Sequence, residues 1–284
     1  MTLKSLVIEH YRLAAEEKKE MIRKLNARNI PVKDFPSDLI ARYRSDDSIR
    51  NELKLILPDL EYSENIEQVL SILDGFTYED PKLRHQEFAD LNRELSECGL
   101  VVRWLPQDLI GKEKELVCSI PILKKWVFEG QSPGLVEFCM RLLTYPPLKK
   151  TSTAKEIFPI VYDERFTSSQ RWTMGNTMAF IANDEVYNDL INVIETERFG
   201  SSRQMFIVAL GNIPRPETIN YLAGLLQNPK YFTHAGYTIM ALNKLKAIET
   251  IELVRAYDEC PRKWVAHKAK KTVMKFDKIN SNKS

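Results

Sequence analysis

The chain has 284 residues, 41 basic against 39 acidic side chains, and 44% apolar residues, enough for one large hydrophobic core or two smaller ones. With 28% charged and 10% aromatic residues it fits neither a disordered tail nor a membrane protein, and ten glycines with fourteen prolines are too few for an all-β chain. The longest uninterrupted apolar run, Met205 to Leu210, falls far short of the ~20 residues a bilayer crossing needs, and Glu9, Arg12 and the charges at 16–20 interrupt any signal-peptide core.

Helical signals run from end to end. Over residues 2–28, Leu3, Val7, Tyr11, Ala14, Met21 and Leu25 recur at spacings of three, four or seven, and Glu20–Lys24 adds an i,i+4 pair of favourable polarity. Ile30-Pro31 stops this helix. Further helices are predicted at 37–43, 48–57, 63–73 and 81–97, the last ending at Cys98-Gly99. Residues 100–105 carry the one fair strand signal, but they run into Pro106 and read as a connector or an edge piece. After Leu116 the predicted helices shorten, to 120–128, 133–144, 154–162, 171–182 and 185–197. Pro133, Pro216 and the Ser/Thr residues at 151–153, 167–169 and 201–202 stand where helices should start.

The second half repeats itself. Met178-Ala179-Phe180-Ile181, Val208-Ala209-Leu210-Gly211 and Met240-Ala241-Leu242-Asn243 carry the same small central residue, and Val273-Met274-Lys275-Phe276 follows with Met in that slot. Between copies comes a second helix with Leu190, Leu222 and Leu253, then apolar pairs at Val193/Ile194, Leu225/Leu226 and the looser Ala256/Tyr257. A two-helix unit of this size cannot bury an apolar face alone. Stacking copies in register supplies a continuous core, with Ala at the tightest crossing.

These units resemble the HEAT-like repeats of the phycobilin-lyase type, whose compact form reads roughly V-R-x-x-A-x-x-A-L-G. The best-matching copy is the stretch from Ser202 to Gly211, in which Arg203 fills the arginine slot and Glu197 precedes it where an acidic partner is typical. Other copies drift: the arginine slot holds Thr173, Ala235 and Lys268, and Gly211 is matched by Ile181 and Asn243. The likeness covers residues 171–277 and is weaker over 116–165. It implies an all-α, right-handed α-α superhelix of antiparallel helix pairs: a helical region over 1–115 continuous with the array, repeats over 116–277, and a disordered basic tail over 278–284. It also implies an interaction surface, usually lined by the second helix of each pair. There Asp189, Tyr221 and Glu252 form one stacked row, and Asn192, Gly224 and Arg255 another. The family name specifies no reaction.

Candidate chemistry is sparse. Cys98, Cys118, Cys139 and Cys260 form no CxxC pair and lie at no zinc-ligand spacing, so the expectation is four reduced thiols in helices, no metal site and a cytoplasmic protein. His234 and His267 stand just before the arginine slot in their copies and should make polar contacts at helix starts, about 10 Å apart and too distant to share an ion. Gly175, unusual inside a helix, suggests close packing under Trp172. No GxSxG, HExxH, Walker or GxGxxG motif occurs, so neither an enzyme nor a cofactor is expected.

Charge is uneven. Residues 261–284 carry eight Lys or Arg and one Asp, a balance of +7, which leaves 1–260 at −5 within the net +2. The basic stretch is expected to be the solvated side of a terminal capping helix, with Trp264, Val265, Ala269, Val273 and Phe276 buried and Lys263, Lys270, Lys271, Lys275 and Lys278 facing water. One branch of HEAT-like proteins, the alkylpurine DNA glycosylases, sets an Asp and concave tryptophans in a basic groove. Here the tryptophans are Trp104, Trp126, Trp172 and Trp264, with Asp163 and Asp189 among the acids. But residues 171–260 hold eight Lys/Arg against ten Asp/Glu, so the inner surface should be slightly acidic and repel DNA. The expected partner is therefore another protein, with the protein acting as an adaptor, inhibitor or immunity-type antagonist. The alternative is a nucleic acid held by the basic C-terminal helix. No membrane association is expected.

Overall fold

The computed structural model describes residues 2–27, 81–100 and 113–282, and every regular element among them is helical. The α-helices are α1 (Leu3–Ala27), α2 (Pro81–Glu97), α3 (Glu113–Glu129), α4 (Pro133–Leu142), α5 (Thr153–Ile157), α6 (Ser168–Ile181), α7 (Tyr187–Glu195), α8 (Arg203–Leu210), α9 (Pro216–Gln227), α10 (Ala235–Leu245), α11 (Ile251–Arg255) and α12 (Lys263–Ser281). The helices expected at 37–43, 48–57 and 63–73, and the strand signal beyond Leu100, lie outside the described residues. Among the described helices none is long and apolar enough to cross a membrane.

Local chemistry sets the boundaries. Thr167 and Gln170 form a reciprocal capping box at the start of α6, with Gln170 N–H donating to Thr167 Oγ1 at 3.2 Å and Thr167 N–H to Gln170 Oε1 at 2.9 Å. Ser132 caps α4 by accepting from Leu135 N–H at 3.3 Å, just ahead of Pro133. The helix expected over 154–162 divides, because Pro159 cannot donate a backbone hydrogen bond. α5 stops at Ile157, and Phe158–Tyr162 continues as a tighter 3-10 turn.

Two helices end in Schellman turns. Gly99 closes α2 at φ +75°, and Leu100 N–H returns to the Leu95 carbonyl at 3.0 Å, which buries Leu100 against that helix. Lys246 closes α10 at φ 56°, the left-handed region usually left to glycine, and Ala247 N–H returns to Leu242 at 3.1 Å. At the other end of the chain, α12 continues to Ser281, so residues 278–281 are helical where a disordered tail is expected.

The first helices of successive pairs, α6, α8, α10 and α12, pack side by side, and α4 precedes them against α6. The second helices α7, α9 and α11 pack behind them. Ala179, Ala209 and Ala241 are buried at the crossings, whereas Met274, in the last copy, is 73% exposed. Gly175 is dictated by α8 rather than by Trp172: a Cβ there would sit 3.0 Å from Met205 Cβ and from the Phe206 ring. In α11 the buried position passes from the expected Leu253 to Val254, and Tyr257 behind it is fully buried.

Side chains stitch each unit to the one before. Asn183 Nδ2 donates to Lys149 O (3.2 Å) and Thr151 O (2.9 Å), Asn212 Nδ2 to Met178 O (3.4 Å) and Ala179 O (2.9 Å), and Tyr257 Oη to Leu226 O (2.5 Å). Each bond reaches back between 31 and 34 residues, one unit of the sequence repetition. Further toward the N-terminus the buried Glu87 carboxylate of α2 accepts from Gln131 N–H (2.7 Å) and Ser132 N–H (2.9 Å), which fixes the turn that opens α4.

Two connections depart from expectation. Cys98 and Cys118 form a disulfide, with Cα atoms 5.7 Å apart, joining the end of α2 to α3, while Cys139 and Cys260 are buried and in no disulfide. The reading of four reduced thiols is corrected: packing of α2 on α3 brings together two cysteines whose spacing of 20 residues carries no motif. Helix α1 crosses to the far end of the chain. Tyr11 Oη donates to Phe232 O at 2.6 Å, and Lys4 Nζ lies 2.8 Å from Glu259 and 3.5 Å from Asp258.

Candidate functional site

The two rows predicted on the second helices are engaged mainly with their own neighbours. Asp189 on α7 pairs with Lys155 at 2.8 Å. Glu252 and Arg255, one turn apart on α11, approach to 3.4 Å, and Arg255 also reaches Asp277 of α12 at 3.5 Å. Tyr221 on α9 is half-buried, its hydroxyl makes no hydrogen bond, and burial pushes that hydroxyl well above the usual tyrosine range. Asn192 and Gly224 are exposed, and a Cβ on Gly224 would meet nothing within 4 Å. The structure thus brings Glu252 and Arg255 together, with Asp189 and Tyr221 on separate helices.

The first helices form a different surface. α6 and α10 meet across α8, which is itself buried from Met205 to Leu210. At one end the Trp172 side chain lies beside the Tyr237 hydroxyl, where it offsets part of the rise that burial gives that group. At the other, Lys244 Nζ donates to Ala179 O at 3.0 Å, across 65 residues. Trp264 of α12 completes an aromatic cluster, its ring centre 4.9 Å from that of Tyr237. It lies so close over Gly236 that a Cβ there would fall 1.9 Å from the indole. Lys268 Nζ sits 5.8 Å from the Trp264 ring centre, within cation–π reach. Trp264 is therefore a partly exposed anchor at 36% rather than part of the buried stripe, while Val265, Ala269, Val273 and Phe276 are buried as expected. Lys263, Lys270, Lys271, Lys275 and Lys278 are exposed.

Charge separates between the two sets of helices. The ten acidic residues of 171–260 all lie on second helices and loops, and α6, α8 and α10 contain no Asp or Glu. On α12 the only acid is Asp277. A count along the chain averages two sides that the fold keeps apart: the first-helix face carries none of these acids, which stand on the second helices and loops. The face is nonetheless less basic than its composition. Arg171 donates to Val161 O and Asp163 O, Arg203 to Gly200 O and Ile194 O, and Lys244 to Ala179 O.

Other sequence candidates fall elsewhere. Arg203 is buried, but Glu197 pairs with Lys230 at 2.7 Å, so the acid of the family pattern serves a different cation. His234 is buried at the start of α10, where its Nδ1 lies 3.5 Å from Thr233 Oγ1. His267 is exposed inside α12, because that helix begins earlier, at Lys263. Asp163 is held by Arg165 at 2.8 Å, and Trp104 lies outside the described residues. A cavity of about 310 Å³ opens between α2 and α4 beside Arg84, Phe88, Phe138 and Arg141, with Glu137 pairing Arg141 at 2.5 Å. Among the described residues no three His, Cys, Asp or Glu side chains converge as a metal site.

Tyr237 carries no signal at a spacing of one unit. Trp172 and Tyr237 stand 65 residues apart, two units, so their meeting is legible only at doubled spacing. No protein-family model, curated protein or solved structure matches this chain.

Proposed function

We propose that this protein is a HEAT-like α-α superhelix that binds another protein, as an adaptor, an inhibitor or an immunity-type antagonist, and catalyses no reaction of its own. The observation that carries this reading is the set of side-chain bonds from Asn183, Asn212 and Tyr257, each reaching back one unit, which locks successive helix pairs into one framework. A framework of that kind holds an extended surface rigid, so little ordering entropy is lost when a partner docks. The Cys98–Cys118 disulfide removes the ground for expecting a reducing compartment, and the proposal does not depend on one.

The second reading, binding of nucleic acid, is favoured by one observation: the lysines of α12 adjoin a face whose helices α6, α8 and α10 carry no carboxylate. Gel shift with single- and double-stranded DNA at two salt concentrations separates the two. Protein binding predicts weak association that salt abolishes. Sub-micromolar binding with a steep salt slope would establish the nucleic-acid reading in its place.

A further inference from the structure

We propose that the face made by α6, α10 and α12, centred on Trp172, Tyr237 and Trp264, docks an acidic polypeptide segment anchored by an apolar side chain. The proposal rests on the protein-binding reading above and names its site, which is not the second-helix rows.

The aromatic cluster supplies the anchor. Trp172 and Trp264 are each 36% exposed, and neither stands alone: Trp172 lies beside the Tyr237 hydroxyl, and Trp264 is seated on Gly236 against the Tyr237 ring. Rigid, partly exposed tryptophans with a tyrosine between them have the composition of binding hot spots, where large side chains gain contact area at small entropic cost. Phe180, 43% exposed and two turns along α6 from Trp172, extends the apolar strip on the same side of that helix.

Charge complementarity selects the occupant. From Trp264, spacings of four, three and four along α12 lead to Lys268, Lys271 and Lys275 on one side of the helix. No carboxylate of α6, α8 or α10 offsets them. An acidic partner is thereby attracted and a basic one rejected. A nucleic-acid strand fits less well, because it needs cations along its whole path. Beyond α12 the cations of this face, Arg171, Arg203 and Lys244, are directed to backbone carbonyls. The site is basic at one edge and aromatic at its centre, the pattern of a protein interface with a charged rim.

The test uses the full chain and two fluorescein-labelled probes, a short peptide alternating Glu with Leu and Phe, and an oligo-dT strand of equal charge, followed by anisotropy at low and moderate salt. The peptide should bind more tightly than oligo-dT. Trp172→Ala and the triple variant K268Q/K271Q/K275Q should each weaken it about tenfold, while Asp189→Asn leaves it unchanged. Lys268 is half-buried beside Trp264, so the variant K271Q/K275Q, which changes exposed side chains only, carries the test if Trp172→Ala or the triple variant does not fold by circular dichroism. Absence of peptide binding, or binding that both variants leave intact, overturns the proposal. Peptide binding lost instead in Asp189→Asn or Glu252→Gln overturns the location and leaves the protein-binding reading standing. Tighter binding of oligo-dT overturns both.

Discussion

Lys244 and Asn212 both donate to the carbonyl oxygen of Ala179, at 3.0 and 2.9 Å, so one acceptor on α6 is shared by the unit that follows and by the unit after that. Removing either donor leaves the other in place. Asn212→Ala should cost about 1–3 kcal/mol, since its amide is buried, and Lys244→Met less. The double variant should lose more than the sum, because only then is the Ala179 carbonyl left without a partner. Urea denaturation of the four proteins measures the cycle, and strict additivity would refute the shared-acceptor reading.

Two glycines in helix interiors should respond in opposite directions. Gly236→Ala drives a Cβ to 1.9 Å from the Trp264 ring, and should destabilise the protein by about 1–3 kcal/mol or more while altering tryptophan fluorescence. Gly224 on α9 faces open space, so Gly224→Ala should stabilise by up to ~1 kcal/mol through helix propensity alone. Thermal melts of the two variants side by side check the sign of each.

Ala209 is fully buried at the crossing of α8, and Ala209→Leu should overpack it by about 1–3 kcal/mol. Ala89 on α2 is exposed, and the same exchange there should stay within about 0.5 kcal/mol. Ala247 is no substitute control: it is 1% exposed, tucked under Leu242 by the Schellman turn at Lys246. A matching loss at Ala209 and Ala89 would mean that the buried face of the array is misassigned.

Acid should loosen α1. His10 packs against the rings of Tyr11 and Phe232, at 5.3 and 5.5 Å, and burial lowers its pKa below the ordinary 6.5. The folded protein therefore holds the neutral imidazole. Its contribution to stability is complete above the unfolded pKa and is lost as pH falls below about 6.5 toward the folded value. Melting temperature followed from pH 7.5 down to 5 should fall more steeply for the native chain than for His10→Gln. Parallel curves would show that this contact does not titrate.

The disulfide closes 20 residues, for which loop-closure entropy gives about 3 kcal/mol. Cys98→Ser should lower stability by about 2–4 kcal/mol, and alkylation of the unreduced, denatured chain should label Cys139 and Cys260 but not Cys98 or Cys118. Labelling of all four would exclude the bridge.

The sequence made the helices legible where local signals agreed. α1 and α2 end within a residue of their predicted limits, and the caps at Ser132 and Thr167 stand where hydroxyl side chains and Pro133 announced them. Boundaries were missed where one residue overrode the pattern, as Pro159 does in dividing 154–162. The candidate site was less legible for a different reason. Net charge along the chain does not show sidedness, and the fold sorts acids onto the second helices and loops and leaves α6, α8 and α10 without them. Pairings such as Cys98 with Cys118, Tyr11 with Phe232 and Trp172 with Tyr237 depend on how helices are stacked, and no local periodicity encodes that.

The reach of α1 to the far end of the chain sets an order of assembly. Tyr11 leaves the ribosome 221 residues ahead of its acceptor, the carbonyl of Phe232, and the carboxylates that meet Lys4 are made later still. During synthesis the part of α1 that carries Val7 and Tyr11 has to wait for that partner while the intervening helices fold against their immediate neighbours. The Tyr11–Phe232 contact is thus a late one, closed only after the helices between its two partners have been made.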